Sequence, residues 1–247
     1  MLAIAIPKSR SSVMPLPATS LKCRNCTTRA KSACAGVTAD DLDRLTGLVA
    51  PQQLMAGDTL IEEGDDATHV FTVTSGSMKI YKLLPDGRRQ VTGFLFQGDF
   101  LGLAFDEAYT YSAEALTDTT VCRFARSSFE NFVESRPAME HRLRVMVSNE
   151  LAAAQDQMLL LGRKTAQERV ASFLLTLVRR QERLGHDGKA IRLTMTRNDI
   201  ADYLGLTIET VSRTFTVLRR QGIIEFDRST LIRIPDRSCL AMLAEAA

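Results

Sequence analysis

Four of the five cysteines have a spacing that suits metal chemistry. Cys23, Cys26 and Cys34 follow one another with two and seven residues between them, and Cys122 lies far downstream. Four thiolates can hold zinc or an iron–sulfur cluster, and the spacing alone does not choose between them. Structural zinc sites more often use two close pairs of ligands, whereas this set would clasp the first segment onto the rest of the fold. Cys239 has no partner motif and is interpreted as a packed thiol.

Catalytic chemistry has no comparable signal. The three histidines, His69, His141 and His186, lie apart and outside any metal or triad motif, and no phosphate-binding glycine loop occurs. No segment approaches the roughly 20 apolar residues of a membrane helix. The apolar start, residues 1–6, is too short for a signal peptide. The sequence therefore predicts a cytoplasmic protein that is not an enzyme and whose cysteines stay reduced.

A predicted helix-turn-helix near the C-terminus carries a second set of polar groups, which could form hydrogen bonds with a partner. Thr196 is placed to cap a short helix, the turn covers 205–207, and Thr207 caps a second helix over 208–221. The second helix turns one apolar face inward, formed by Ile208, Val211, Phe215 and Leu218.

The opposite face of that second helix suits base reading in the major groove of double-stranded DNA. Glu209 can accept from cytosine, Arg213 can donate to guanine, and Ser212 can bond a base or a phosphate. Arg219, near the helix end, is placed for phosphate contact. The candidate DNA-binding residues are Thr196, Arg197, Thr207, Glu209, Thr210, Ser212, Arg213 and Arg219.

The charge distribution agrees with a nucleic-acid partner. Residues 163–233 hold 14 Lys/Arg against 8 Asp/Glu, a local net charge of +6, whereas residues 1–162 hold 16 against 19. A basic C-terminal third indicates a polyanion. Helix pairs with merely solvated charges also occur, but here the turn, the apolar positions, the polar set and a predicted two-stranded wing after the second helix all agree.

Four segments must position these groups, in an α+β fold. Residues 1–36 predict an irregular, cysteine-rich sensory arm. Residues 37–137 contain short strands between glycines, typical of a small β-roll. Residues 138–162 predict one long helix, and residues 163–247 a winged helix-turn-helix. The long helix has near-heptad apolar spacing, which favours a homodimer seam over ordinary packing, at Leu143, Val147, Leu151, Ala154, Met158 and Leu161.

A roll, a long helix and a winged helix-turn-helix, in that order, resemble the Crp–Fnr family of bacterial transcription regulators. The resemblance covers roughly residues 38–235. Within the stretch 193–213, Glu209, Ser212 and Arg213 match the E-x-x-S-R pattern of the Fnr branch. This resemblance implies a homodimer that reads TTGAT-like inverted repeats, one recognition helix to each half-site, and that contacts RNA polymerase, with the turn at Asp86-Gly87 as a weak candidate surface.

The cysteine pattern resembles the alphaproteobacterial oxygen-sensing Fnr proteins. By that resemblance, Cys23, Cys26, Cys34 and Cys122 are the ligands of a 4Fe-4S cluster. The intact cluster would favour the DNA-binding dimer, and oxygen would convert it to a 2Fe-2S cluster and finally destroy it. The regulated genes would be anaerobic or microaerobic ones, activated or repressed according to promoter position.

Two departures from relatives refine this expectation. The cyclic-AMP branch holds the nucleotide phosphate with an Arg-Ser pair before an Ala, where this chain has Tyr111-Ser112-Ala113; the missing cation argues against cyclic-nucleotide binding. Some relatives carry a carboxylate on the seam at Ala154, so its absence predicts some dimer without cluster. Two alternatives stay open: a regulator of the FixK type with no cluster, and a zinc-stabilised regulator.

Overall fold

The protein is described by a computed structural model that covers residues 14–15, 23–103, 107–183, 187–228 and 230–245. The interpretations given to residues 1–6, to His186 and to much of the arm fall outside these residues. The chain forms two compact units. The first joins Met1–Ile80 with Phe94–Leu143, and the second joins Tyr81–Gly93 with Arg144–Ala247.

Two antiparallel sheets build the predicted roll. Their strands are β1 (Met14–Pro15), β2 (Val49–Leu54), β3 (Thr59–Ile61), β4 (His69–Ser75), β5 (Ser77–Leu83), β6 (Arg89–Phe96), β7 (Phe100–Leu101), β8 (Ser112–Ala115) and β9 (Thr119–Ala125). One sheet has the order β1-β2-β9-β4-β7 and the other β3-β8-β5-β6. Because successive side chains on a strand point to opposite faces, alternate residues meet in the core, where Val73, Met78 and Val121 are fully buried.

The arm and three helices complete the N-terminal half of the chain. The arm is not irregular where it is described: it forms three short 3-10 turns, Cys23–Asn25, Arg29–Lys31 and Ala33–Gly36. The helices are α1 (Leu42–Leu48), α2 (Arg126–Glu134) and α3 (Pro137–Arg163). Proline at the first position of α3 is favourable because that residue needs no backbone donor.

The C-terminal part contains α4 (Ala166–Arg183), β10 (Ala190–Arg192), α5 (Arg197–Leu204), α6 (Ile208–Arg220), β11 (Glu225–Arg228), β12 (Leu231–Arg233) and α7 (Arg237–Glu245). The predicted two-stranded wing is present as β11 and β12, and β10 joins it in a three-stranded sheet, β10-β12-β11, in which Ile191 pairs with Ile232. Helix α7 was not predicted. It packs on α4, and the ammonium of Lys164 donates to the carbonyl of Ala244 at 2.6 Å.

Candidate functional site

A cavity in the first unit brings together the four cysteines that the sequence singled out. Its lining consists of Cys23, Cys26, Thr28, Arg29, Ser32, Cys34, Thr72, Thr74, Cys122 and Phe124. Three of the thiols come from the arm and the fourth from the middle of β9. The fifth cysteine, Cys239, lies elsewhere, on α7, where its thiol contacts the carboxylate of Asp236 at 3.2 Å.

Backbone hydrogen bonds help to hold two of the arm cysteines in place. The backbone N–H of Cys23 donates to the hydroxyl of Thr46 at 3.3 Å, and that of Cys34 donates to the hydroxyl of Ser32, also at 3.3 Å. Cys122 is fixed differently, because β9 lies between β2 and β4 and is paired on both sides. One ligand candidate thus stands on rigid sheet and three stand on turns.

The arm is docked on the roll by contacts that need no metal. The amide of Gln97 donates to the hydroxyl of Thr28 at 2.9 Å, and that hydroxyl donates to the carbonyl of Thr74 at 3.1 Å. Gly98, at φ +97°, is so close to the arm that a Cβ there would meet the carbonyl of Lys31 at 2.8 Å. A metal clasp at the cysteines would therefore act on an arm already held by hydrogen bonds.

Burial governs the protonation of these thiols. Removal from water, with a smaller contribution from the neighbouring thiols, raises the pKa of Cys34 to about 11 and that of Cys122 to about 12. Burial likewise raises the pKa of Cys23. The thiols of Cys23, Cys34 and Cys122 are neutral at pH 7 without a cation, and a metal that binds them must displace their protons.

The chemistry of this donor set fits a metal centre built from soft ligands. Four thiolates are the donors that zinc and iron–sulfur clusters select. Among the described residues, no group of three or more His, Cys, Asp or Glu side chains is already arranged closely enough to hold a metal ion. Zinc or an iron–sulfur cluster could be held by this same set of thiols, Cys23, Cys26, Cys34 and Cys122.

The polar groups at the predicted nucleotide-phosphate position are already engaged within the protein. The hydroxyl of Tyr111 accepts from the N–H of Gly102 at 2.8 Å, and that of Ser112 accepts from the N–H of Glu63 at 3.0 Å. The adjoining residues 104–106 lie outside the described ranges. These hydrogen bonds tie Tyr111 and Ser112 to neighbouring segments of the roll.

The second candidate region is the helix-turn-helix, and its predicted local geometry is present. Thr196 and Asp199 form a capping box at the start of α5, which satisfies two exposed N–H groups reciprocally. Gly205 ends that helix at φ +61°, a conformation that suits glycine. The hydroxyl of Thr207 then accepts from the N–H of Thr210 at 3.2 Å and caps α6.

The recognition helix α6 separates apolar from polar side chains as predicted, with one exception. Val211, Phe215 and Leu218 are buried, but Ile208 is 42% exposed because it stands at the first turn, beyond the packed face. The exposed face carries Glu209, Ser212, Arg213 and Arg219, with Thr210 half-buried beside them.

Glu209 is held as a carboxylate at the start of this helix. Its own backbone N–H, the hydroxyl of Thr207 and then Arg213 hold the pKa of Glu209 below its usual range. Arg213 lies near the hydroxyl of Thr210, at 3.5 Å. A carboxylate acceptor and a guanidinium donor are therefore presented together on one exposed turn.

Arg197 has a structural role that the sequence did not reveal. Its guanidinium stacks over the ring of Phe215 at 3.7 Å and lies 5.4 Å from the ring of Phe226 on β11. Burial lowers the pKa of Arg197, and its Nη1 has no hydrogen-bond partner among the described residues. The predicted DNA contact at this position thus comes from a side chain that also joins α5, α6 and the wing.

Arg89, at the tip of the β5–β6 hairpin, also binds the helix-turn-helix. Its guanidinium contacts the carboxylates of Asp199 at 3.0 Å and Asp202 at 2.8 Å. The amide of Gln90 donates to the carbonyl of Asp202 at 2.7 Å. All these residues belong to the second compact unit. Sequence reasoning missed this contact because 110 residues separate Arg89 from Asp199.

The predicted seam lies open on the single chain. Leu151 is 62% and Met158 72% exposed, and Val147 and Ala154 are exposed as well. Leu143 and Leu161, at the two ends of the stripe, are half-buried. A stripe of exposed apolar side chains along one helix is typical of an association surface. None of the described helices has both the length and the hydropathy that a membrane span requires.

Comparisons with known proteins place the two halves of the chain in known families. Residues 51–136 match the family described as Cyclic nucleotide-binding domain, and residues 168–243 match the Crp-like helix-turn-helix domain. The chain is 44% identical to the nitrogen fixation regulation protein FixK of Bradyrhizobium diazoefficiens, over 82% of this chain and 85% of FixK. It is also 44% identical to the transcriptional activatory protein AadR of Rhodopseudomonas palustris, over 81% and 84%.

Solved structures agree with this placement. FixK2 from Bradyrhizobium japonicum is 40% identical to this chain and superposes with a TM-score of 0.75. The match covers 81% of this chain and 99% of the FixK2 chain. The relatives are transcription regulators, not enzymes. The predicted order of roll, long helix and helix-turn-helix is confirmed by these matches.

Proposed function

The chain belongs to the Crp–Fnr family of DNA-binding transcription regulators, and from this premise we propose that it is an oxygen-responsive regulator whose Cys23, Cys26, Cys34 and Cys122 hold a 4Fe-4S cluster. The observation that supports this most is the single cavity lined by all four thiols, which come from the arm and from β9. When bound, the cluster supplies an oxygen-sensitive redox centre.

The protein's own residues protect and position that centre. The arm turns cover the cavity, Phe124 contributes an apolar wall, and Arg29 adds a positive charge to the lining. Loss of the cluster would leave the arm held only by its hydrogen bonds, such as that from Thr28 to Thr74. The cluster therefore adds a cross-link between the arm and the sheet.

The output is DNA binding by a homodimer. The exposed stripe on α3, which includes Leu151 and Met158, would pair with its copy, and two recognition helices would then read a TTGAT-like inverted repeat. Joining two half-sites through one dimer raises affinity by effective concentration. The exposed turn at Asp86 and Gly87 is the proposed surface for RNA polymerase, through which the dimer activates, or at other promoter positions represses, anaerobic and microaerobic genes.

Ala154 shapes how completely the switch turns off. It is exposed on α3 and carries no charge that would repel its copy across a two-fold seam. Some dimer should therefore persist without cluster at micromolar concentration. Analytical ultracentrifugation of the cluster-free protein tests this, and a strictly monomeric protein would contradict it.

A second function is favoured by the similarity to FixK. With 44% identity to a protein of that name, the chain is also a candidate for a regulator that needs no cluster. Such a protein would bind the inverted repeat with equal affinity in air and without oxygen. The proposed sensor would lose affinity in air.

The deciding experiment is purification without oxygen, followed by visible absorption and by iron, sulfide and zinc analysis. We expect a brown protein with iron and sulfide in similar amounts and absorption that fades in air. Cys122→Ala should remove the iron, whereas the matched control Cys239→Ala, outside the cavity, should keep it. A colourless protein with zinc or without metal would refute oxygen sensing and leave a zinc-stabilised or FixK-type regulator.

A further inference from the structure

Thr72 is a buried polar residue at the wall of the cysteine cavity and is not one of the proposed metal ligands. It lies on β4, is 3% exposed, and lines the cavity together with Cys122. The two residues are directly opposite each other in the antiparallel β4–β9 pair. Side chains so paired share one face of the sheet, with their Cβ atoms about 4.5–5.5 Å apart. The side chains of Thr72 and Cys122 are therefore neighbours on the face of the sheet that lines the cavity.

Four hydroxyl side chains line this cavity, and three of them already donate a hydrogen bond to a backbone carbonyl. Thr28 donates to Thr74 at 3.1 Å, Ser32 donates to Arg29 at 3.1 Å, and Thr74 donates to Thr120 at 3.0 Å. The hydroxyl of Thr72 has no hydrogen-bond partner among the described residues. The odd member of the set is thus the one beside Cys122.

An unpartnered buried hydroxyl is costly, because it has given up its hydrogen bonds to water without replacement. A sulfur that carries negative charge would be a suitable acceptor, and the cavity offers such a sulfur only when its thiols bind metal. We propose that the Thr72 hydroxyl donates a hydrogen bond to a sulfur of the metal-bound state, either the Cys122 thiolate or a sulfide of the cluster. This inference rests on the proposed function.

The expected consequence is a more durable and more easily reduced centre. Hydrogen bonds to the sulfurs are among the features that set the potential of iron–sulfur clusters. A donor stabilises the more negative, reduced state more than the oxidised state, so it raises the reduction potential. Thr72 would then be a positioning residue that slows oxidation while the four cysteines remain the ligands.

Three variants separate this role from simple packing. Thr72→Val keeps the branched shape and removes the donor, Thr72→Ser keeps the donor, and Thr74→Val removes a hydroxyl of the same cavity that is already bonded. In cluster-free protein, Thr72→Val should unfold at the wild-type temperature or above it. Thr74→Val should unfold at a lower temperature, because the carbonyl of Thr120 loses its donor.

In cluster-loaded protein prepared without oxygen, Thr72→Val should be the more damaging of the two valine substitutions. Thr72→Val should have a lower midpoint potential and lose its absorption in air on the order of tenfold faster, the factor that one hydrogen bond to a charged group is worth. Thr72→Ser should restore both values. A Thr72→Val protein that holds cluster with wild-type potential and lifetime would overturn the inference, as would a cluster-free Thr72→Val protein as unstable as Thr74→Val.

The same preparation separates this inference from the proposed function. Wild-type protein without iron and sulfide would overturn the proposed function, and the inference with it, before any Thr72 variant is compared. Wild-type protein with cluster and indifferent Thr72 variants would overturn only the inference.

Discussion

The cysteine cavity and the DNA-reading face are assembled in opposite ways. The cavity joins Cys23 to Cys122, 99 residues apart in the sequence, and it closes only when the arm lies on the roll. The DNA-reading face runs from Thr196 to Arg213, a continuous stretch of 18 residues fixed by its own caps and turn. One region depends on long-range docking, whereas the other depends on local hydrogen bonds and a small core beneath it.

The two regions can therefore lose their structure independently of each other. Displacement of the arm should open the cavity and leave the recognition helix formed. Loss of the core under α6 should remove DNA binding and leave the thiols buried. Substitutions that respect or violate this separation test it directly.

The largest effect is expected from Phe215→Ala, which removes a side chain from the core that supports the DNA-reading helix α6. Phe215 is buried and contacts Phe226 and Arg197. Its truncation should lower the free energy of unfolding of the C-terminal part by about 3–5 kcal/mol. Chemical denaturation followed by circular dichroism measures this, with Thr216→Ala on the outer side of α6 as the mild control. If Cys34 and Cys122 became reactive to thiol reagents in the same variant, the two regions would not be independent.

Gly98→Ala should disturb the docking of the arm that closes the cysteine cavity. A side chain at φ +97° costs roughly 1–3 kcal/mol, and its Cβ would collide with the carbonyl of Lys31. We expect the arm to shift and the buried thiols to react faster with a chromogenic disulfide. Gly57→Ala is the matched control, because Gly57 has φ +92° but open space around it. Equal thiol reactivity in both variants would show that strain alone, and not arm docking, controls access.

Arg213→Ala should leave both folds intact and weaken sequence-specific DNA binding. A bidentate contact with guanine contributes about 1–3 kcal/mol of discrimination, roughly 5- to 150-fold for each half-site, and the dimer on the inverted repeat loses two such contacts. Arg213→Lys is the informative control, because it keeps the charge and loses the planar fork. Fluorescence anisotropy with matched and mutated half-sites measures the change. An equal loss on unrelated DNA would make Arg213 a phosphate contact.

Arg219→Ala is expected to have the smallest effect. Arg219 is exposed near the end of α6, where it can reach phosphate but not base edges. Affinity should fall modestly on all sequences, and the slope of log affinity against log salt should decrease in magnitude by about one for each subunit, about two for the dimer. Titrations at several salt concentrations test this. An unchanged slope would remove Arg219 from the interface.

The same contrast explains what the sequence could predict. Thr196, Gly205 and Thr207 were placed correctly because caps and turns depend on neighbours three or four residues away. The convergence of the cysteines was anticipated through the family resemblance, but Thr72 was not, because its position depends on the register between β4 and β9. Nothing local distinguishes its hydroxyl from that of Thr74.

Arg197 and α7 are two further features that the sequence did not predict. The stacking of Arg197 on Phe215 and Phe226 joins three elements, so the sequence indicated a charge there and not its surroundings. Helix α7 is short, and its packing on α4 depends on tertiary contacts such as the bond from Lys164 to Ala244. Its local start signal, Asp236 bonded to Ser238 and Cys239, was present but weak.

The hairpin contact of Arg89 has a practical consequence for protein engineering. A sensor exchanged between two relatives is usually spliced at a single point, in the middle of a connecting helix such as α3. In this chain that splice would separate Arg89 and Gln90 from the carboxylates and carbonyls they bind on α5. A transplantable DNA-binding module should therefore carry residues 81–93 as a graft together with 144–247, so that the cut follows the compact unit and not the linear sequence.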